Sequence, residues 1–431
     1  MNRNRNLTLI GAALVCGVAL GSSVHAGGIF LYEIGTPDVG LASAGYASRV
    51  QDASTVFRNP AGMSFLEGAQ FQAGVQLTYG SVEFSPNANT SGDLGTDSGG
   101  NAIGALPAGG LFVSVPLSEK FAVGLGGLSY FGLVEKYDHN WVGRYYVQES
   151  ALLGMSITPS ASFKATDWLS IGAGLNAMYG YFDTKVGINN RDTILPGRSL
   201  EDGQMSLKDQ TWGFGANVGL LIEPAKGTRV GVTYLSPVDL DFKDTPSLSG
   251  PLSPGLSVLL RNPTQLNLGV TVPQSAMLSL YQELNPKWAV LADFGWQNWE
   301  QFGKVDVGIE RGNNPVITKT LNYRDTWHGA LGAQYKATEK WMFTGGVGYD
   351  SSAVDSADRT VTLPIGQTWR FGIGAIYQLS EKVDLGLAYE FAWFGDMSVD
   401  QGSDASLRGR VSGSYNDAWF SFAFLNLNWK F

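Results

Sequence analysis

The sequence predicts an all-β protein, a 14-stranded antiparallel transmembrane β-barrel with an N-terminal hatch, or plug, inside the lumen. Three observations carry this prediction. The composition is poor in charge and rich in glycine and aromatics; amphipathic runs are joined by alternately short and long polar connections; and an N-terminal stretch obeys neither rule. Charged residues make up 16% of the chain, against roughly 25% in soluble domains, while aromatics reach 12% and glycines number 56. Past residue 26 no apolar stretch is as long as the roughly 20 residues a membrane helix needs. A closed barrel reconciles these facts. Its backbone hydrogen bonds run between strands, and each strand is apolar on one side only.

The chain start is read as an export signal. Arg3 and Arg5 form a basic n-region, Leu7 to Leu20 an apolar h-region, and Val24-His25-Ala26 a small-residue cleavage site. Residues 1–26 are therefore expected to be removed, residues 27–67 to form the hatch and residues 68–431 the barrel. Cys16 follows Val15, where lipoprotein processing wants a small residue, so it leaves with the signal. It is the only cysteine, so the mature chain is expected to hold neither disulfides nor thiolate metal sites. A net charge of −9, more acidic still without Arg3 and Arg5, argues against a nucleic-acid partner.

Six tight turns punctuate the rest: Ser118-Glu119-Lys120, Thr166-Asp167, Ala225-Lys226-Gly227-Thr228, Asn285-Pro286-Lys287, Thr338-Glu339-Lys340 and Ser380-Glu381-Lys382. Phe121, Trp168, Trp288, Trp341 and Val383 follow five of them at once, where an interfacial aromatic girdle belongs. Seven longer polar segments lie between, near residues 86–105, 132–149, 187–204, 244–262, 311–318, 351–366 and 399–412. Short turns face the periplasm and long loops the outside, and six plus seven connections join 14 strands.

The two-residue strand period assigns the faces. After Lys382, Val383, Leu385, Leu387, Tyr389, Phe391 and Trp393 face lipid, leaving Asp384, Gly386, Ala388, Glu390, Ala392 and Phe394 inside. Trp369, Phe371, Ile373, Ala375, Tyr377 and Leu379 likewise face out, with Arg370 and Gln378 inward. Leu266 to Tyr281 is read as one strand with Leu266, Leu268, Val270, Val272, Leu278 and Leu280 outward. In the last strand Leu425, Leu427, Trp429 and Phe431 face lipid, while Phe420, Phe422 and Phe424 point inward. A final strand ending in Phe resembles the signature by which the barrel-assembly machinery recognises outer-membrane barrels. The protein is thus expected in a bacterial outer membrane, in contact with its lipid.

Residues 27–67 break the period. Gly27-Gly28-Ile29-Phe30-Leu31-Tyr32 is followed by Gly40-Leu41-Ala42-Ser43-Ala44-Gly45-Tyr46-Ala47 and by Asp52-Ala53-Ser54, then Asn59-Pro60-Ala61-Gly62. Small residues at this density permit close packing, and Asn-Pro marks a turn. A compact element inside the barrel is the economical reading. This ordered constellation resembles the N-terminal hatch of the FadL family, whose members carry long-chain fatty acids or aromatic hydrocarbons across the outer membrane. The resemblance implies a monomer in which outer loops capture a hydrophobic ligand, a lumenal pocket holds it, and a gap beside a kinked third strand releases it sideways. It further implies that Asn59, Pro60 and Ala61 touch that kink, for which Gly126 and Gly127 supply a local cause.

Phe30, Phe420, Phe422, Phe424 and Arg370 are the candidate ligand-pocket residues. Inward aromatics either line such a pocket or pack on the hatch; both disfavour an open polar pore. Phe182 is a further inward aromatic. Arg370 is a candidate cation for a fatty-acid carboxylate, with inward Glu390 able to neutralise it. Trp141, Tyr145 and Tyr146 in one loop, and Leu248, Leu252, Leu256, Val258, Leu259 and Leu260 in another, either form a landing groove or pack the loops together. Beyond the signal, histidine occurs only as His139 in a loop and His328 near the wall, with no G-x-S-x-G or H-E-x-x-H motif. The sequence therefore predicts no catalytic, metal or cofactor site and no enzyme. The rival readings are a general porin and an adhesin barrel.

Overall fold

The computed structural model describes residue 32 and residues 37–190, 201–251, 265–309 and 317–431. Fourteen strands form the wall, in chain order β1 Gln70–Ser81, β2 Ala105–Pro116, β3 Phe121–Lys136, β4 Glu149–Thr166, β5 Leu169–Ile188, β6 Gly203–Ala225 and β7 Thr228–Leu235. The wall continues with β8 Ser275–Asn285, β9 Trp288–Gln297, β10 Thr326–Lys336, β11 Trp341–Asp350, β12 Thr368–Ser380, β13 Val383–Gly402 and β14 Arg410–Lys430. Each pairs antiparallel with the next, and β1 closes the ring on β14 from Gln70 opposite Lys430 to Ser81 opposite Trp419. This closure removes the two outer edges of the sheet, which is what a lipid solvent demands.

The six tight turns join the strands where the sequence places them. Phe121, Trp168, Trp288 and Trp341 are exposed at that end of the wall, as an aromatic girdle requires, whereas Val383 is only half-exposed. Alternation holds on the last two strands: Leu387, Tyr389, Leu425 and Trp429 face out, while Ala388, Glu390, Phe420, Phe422 and Phe424 are buried inside.

One expected strand is divided. Leu266–Val272 leaves the barrel and joins Val238–Asp244, Lys304–Ile309 and Ile317–Thr320 in a four-stranded sheet of the outer loops, and the wall resumes at Ser275. Pro273 lies at the break; lacking an N–H, it cannot continue a ladder. Leu278 and Leu280 face lipid as expected, but Val270 and Val272 are buried against Leu240 and Phe242. An apolar alternating pattern cannot tell lipid from a second protein layer.

The wall is not continuous between β2 and β3. Their pairing runs from Pro116 opposite Ala122 only as far as Gly110 opposite Leu128. Beyond that point β2 stays with β1, up to Ala105, and β3 stays with β4, up to Lys136. At the parting β3 carries a bulge, its register slipping between Ser129 and Phe131. The extra residue turns the neighbouring rings of Tyr130 and Phe131 both inward, where both are fully buried.

Candidate functional site

Residues 37–66 precede the barrel and fill its lower lumen, almost every side chain from Pro37 to Met63 being buried. Short helical turns at Pro37–Leu41, Thr55–Arg58 and Pro60–Phe65 are the only regular structure the segment needs, because the wall satisfies much of the rest of its backbone. Asp293 on β9 accepts the N–H groups of Gly45 and Tyr46 at 3.0 Å each. Ser279 on β8 accepts that of Ala47 at 2.9 Å, and Gln72 on β1 that of Ser54 at 3.0 Å. Ser160 on β4 and Asn217 on β6 donate to the carbonyls of Val56 and Phe57, at 3.0 and 2.9 Å.

An ionic core sets the shape of this hatch. Asp38 bridges Arg49 (2.8 Å) and Arg58 (3.0 Å), and Asp52 binds the same two arginines at 2.6 and 3.6 Å. Burial by itself would raise the Asp52 carboxyl. The two guanidinium groups and the Ser54 hydroxyl outweigh burial and hold it at about 2. The sequence reading singled out Asp52-Ala53-Ser54 as a motif but missed the ion network; charged residues recurring in a stretch otherwise small and apolar were its visible sign.

The wall hydrogen bonds of Asn59 and Ala61 run to strands other than β3. Asn59, Pro60 and Ala61 lie on β5 and β6: the Asn59 amide donates to the Leu220 carbonyl at 3.0 Å, and Ser170 donates to the Ala61 carbonyl at 2.8 Å. Only glycine fits beneath them. A Cβ at Gly172 would overlap the Ala61 backbone nitrogen, and one at Gly219 the Asn59 side-chain oxygen. The hatch reaches the bulge through Phe57, whose ring lies 4.9 Å from that of Tyr130. Gly126 and Gly127 stay in register, opposite Thr158 and Ile157, so the irregularity falls at Tyr130 rather than at the glycine pair. Gly126 nevertheless has its own reason, because a Cβ there would meet the Thr158 hydroxyl at 2.6 Å.

Above the hatch lies a lumenal cavity of about 100 Å³. Phe420, Phe422, Phe394 and Ile103 line one side, and Trp299, Leu133 and Ile365 another, each drawn from or packed on one of two extensive apolar clusters. Tyr32, Gln297, Thr326, Asp350, Thr368 and Arg370 give it a polar end. Phe420, Phe422 and Arg370 thus lie around one space. Phe424 is buried in the same cluster as the other two phenylalanines without lining the cavity, and Phe30 lies outside the described residues.

Arg370 is not left to a ligand. Asp350 holds its Nε at 2.6 Å and Glu390 its Nη1 at 3.0 Å, while His328 Nδ1 lies 2.7 Å from the other Asp350 oxygen. His328 and Asp350 face each other across β10 and β11, a pairing that register creates and sequence distance hides. The sequence reading saw no histidine dyad, and here is a His–Asp pair. The His328 Nε2 has no hydrogen-bond partner among the described residues. The Tyr32 ring lies tilted against that of His328 at 4.4 Å, and Gln297 donates to the Tyr32 hydroxyl at 2.7 Å.

The described parts of the outer loops pack on one another. Trp141 is fully buried, stacked at 3.7 Å on Tyr137, and Tyr145 is hydrogen-bonded to Asp202 at 2.7 Å, so these aromatics pack loop on loop. Tyr146 donates to the Gly409 carbonyl at 2.8 Å. Phe182 packs 5.4 Å from Phe242 of the outer sheet. Leu248 is half-buried in a short strand added to β6, and Leu252, Leu256, Val258, Leu259 and Leu260 lie outside the described residues.

Comparison with known proteins agrees with this architecture. The chain is 28% identical to Outer membrane protein P1 of Haemophilus influenzae, covering 99% of each chain. It is 27% identical to the Long-chain fatty acid transport protein of Escherichia coli O6:H1, over 88% of this chain and 90% of that one. Among solved structures it resembles a Pseudomonas aeruginosa FadL homologue, with a TM-score of 0.83 and 22% identity over 94% of this chain and all of the other. It also resembles the Pseudomonas putida toluene transporter TodX, at 0.65 and 18% over 95% of this chain and 99% of the other. Residues 17–431 match the family model described as outer membrane protein transport protein (OMPP1/FadL/TodX), and the chain, an integral β-barrel of the outer membrane, belongs to that family.

Proposed function

We propose that this barrel takes up hydrophobic small molecules passively, long-chain fatty acids foremost. Outer loops capture the molecule, the lumenal cavity holds it above the hatch, and it leaves sideways where β2 and β3 part. The observation that carries this reading is the cavity itself. A space walled by Phe420, Phe422, Phe394 and Trp299 above a packed hatch suits an oily molecule better than a sugar or ion. The parting of the wall beside the Tyr130 bulge, with hatch residue Phe57 against it, supports a lateral exit that the hatch governs. Related proteins named as fatty-acid and toluene transporters support the ligand class. On this reading the protein is a monomer that works without catalysis or a cofactor, the ligand's own gradient driving its movement.

Uptake of aromatic hydrocarbons is the second reading, and two observations favour it. The cavity is near the size of the ~150 Å³ apolar cavity known to admit benzene. Arg370 is already matched by Asp350 and Glu390 and so makes a poor seat for a carboxylate. Accumulation of radiolabelled oleate and of toluene by cells with and without the protein tests both. Protein-dependent accumulation of either supports hydrophobic uptake and selects the ligand. If neither enters faster, yet sugars or ions cross the purified protein in a bilayer, the proposal fails and a general pore replaces it.

A further inference from the structure

Arg359 sits in the outer connection between β11 and β12 and is buried, with 8% of its surface exposed. Its Nε donates to the Ile365 carbonyl at 2.8 Å and its Nη1 to the Ser398 carbonyl at 2.9 Å. Among the described residues its Nη2 makes no hydrogen bond and no carboxylate comes within ion-pair distance, Asp355 acting on it only through space. A desolvated charge is costly unless matched. The buried or partly buried guanidinium groups of Arg49, Arg58, Arg144 and Arg370 all have carboxylate partners here. Like half-buried Arg229, which instead lies over the Tyr281 ring at 4.1 Å and donates to the Val50 carbonyl, Arg359 breaks that rule.

The group lines a cavity of about 340 Å³ at the outer end of the barrel. Phe394, Met397, Trp393 and Gly366 give this cavity apolar surface. Its three acids, Asp355, Asp396 and Asp417, are on the exposed rim: Asp355 is held by Arg324 at 2.6 Å, and Asp396 accepts the Asp417 backbone N–H at 2.9 Å. Water and salt screen charges on such a rim far more than a guanidinium buried below it. Phe394 and Gly366 also line the lumenal cavity, so the two spaces share a wall, and the Phe394 ring meets that of Phe420 edge-on at 5.0 Å.

We propose that this outer cavity binds the carboxylate of an amphiphilic acid through Arg359, with the acyl chain passing Phe394 toward Phe420 and Phe422. The proposal rests on the transport reading above and deepens it. The ligand class is an anionic amphiphile, and the residue that recognises its head is Arg359 rather than the compensated Arg370. A planar guanidinium with an open edge suits a carboxylate, and an apolar exit beside it suits the chain.

The test is binding of tritiated oleate and of oleyl alcohol, two chains of one length differing in the head, to the purified full-length protein at about pH 8. The readout is the ratio of the two affinities. Arg359→Gln is expected to lower the oleate preference by about tenfold or more, the scale of a lost hydrogen bond to a charged group. Arg359→Lys, which keeps the charge and loses the fork, is expected to restore part of it. Because Arg359 also ties down two carbonyls, collapse of the loop would weaken both ligands alike and leave the ratio unmoved. An unchanged ratio in Arg359→Gln overturns the proposal while the transport reading stands, provided the unaltered protein binds both ligands. If the unaltered protein binds neither, both readings fall.

Discussion

Replacing Asp38 by Asn removes the carboxylate charge that joins the two arginines of the hatch. Asp38 lies 2.8 Å from Arg49 and 3.0 Å from Arg58, and all three side chains are within 1% of full burial. The variant leaves two desolvated guanidinium groups facing Asp52 alone. Breaking a buried ion network by removing one partner costs about 3–5 kcal/mol. Each 1.4 kcal/mol is about tenfold, so the fraction of molecules with an undocked hatch should rise roughly 10²- to 10³-fold. The barrel wall should not follow, because its ladder closes through β1 and β14 without the hatch. Hydrogen–deuterium exchange of the purified protein reads this directly. Amides such as Gly45, Tyr46, Ala47 and Ser54, which bond to the wall, are expected to exchange faster by that factor, and strand amides to keep their protection. Hatch exchange within about threefold of the unaltered protein would refute the reasoning, because the ion network would then contribute little that water does not.

Acid should act on the same network from the other side. The Asp52 carboxyl is held at about 2, below its ordinary 3.8, so its contribution is complete above the higher value and lost as pH falls through the lower. Hatch protection from this group should be flat above about pH 5 and decline between about pH 4 and pH 2; a decline near neutrality would assign the loss to another group. Gly172→Leu should displace Pro60 and Ala61 from β5, an overpacking cost of about 1–3 kcal/mol or more, seen as faster exchange at Gly62 with the barrel intact. Phe422→Ala should cost about 3–5 kcal/mol of stability in detergent unfolding and weaken calorimetric binding of toluene, since the ring forms part of the cavity wall. Unchanged toluene binding there would place the ligand elsewhere.

Much of the architecture was legible because lipid imposes a strict two-residue period on any strand that meets it. The tight turns, the closure and the inward set Phe420, Phe422 and Phe424 follow from that rule alone. The rule fails where the partner of an apolar face is protein. Val270 and Val272 alternate as a lipid-facing strand would, and Pro273 was the one local sign that the strand stops short. The kink was sought at Gly126 and Gly127 because glycine permits bending, yet Tyr130 carries it. A bulge is a mismatch of register between two strands, which neither strand's sequence states by itself.

The ionic and hydrogen-bonded sites divide in the same way. Arg370 and Glu390 were readable as inward neighbours, because adjacent strands of known parity bring such residues together. Asp350, His328 and Tyr32 around them, and Asp293 beneath the hatch backbone, were not, since their partners are set by register and by where a coil without period comes to rest. The sequence by itself determined the compartment expected, the strand number and which side of each well-alternating strand is greasy, all consequences of a solvent that accepts no unpaired backbone and no exposed charge. Tertiary structure alone decided that Arg370 is ion-paired and Arg359 is not, because a charge is compensated by distance in space, and the Asp350 and Glu390 partners of Arg370 lie on other strands.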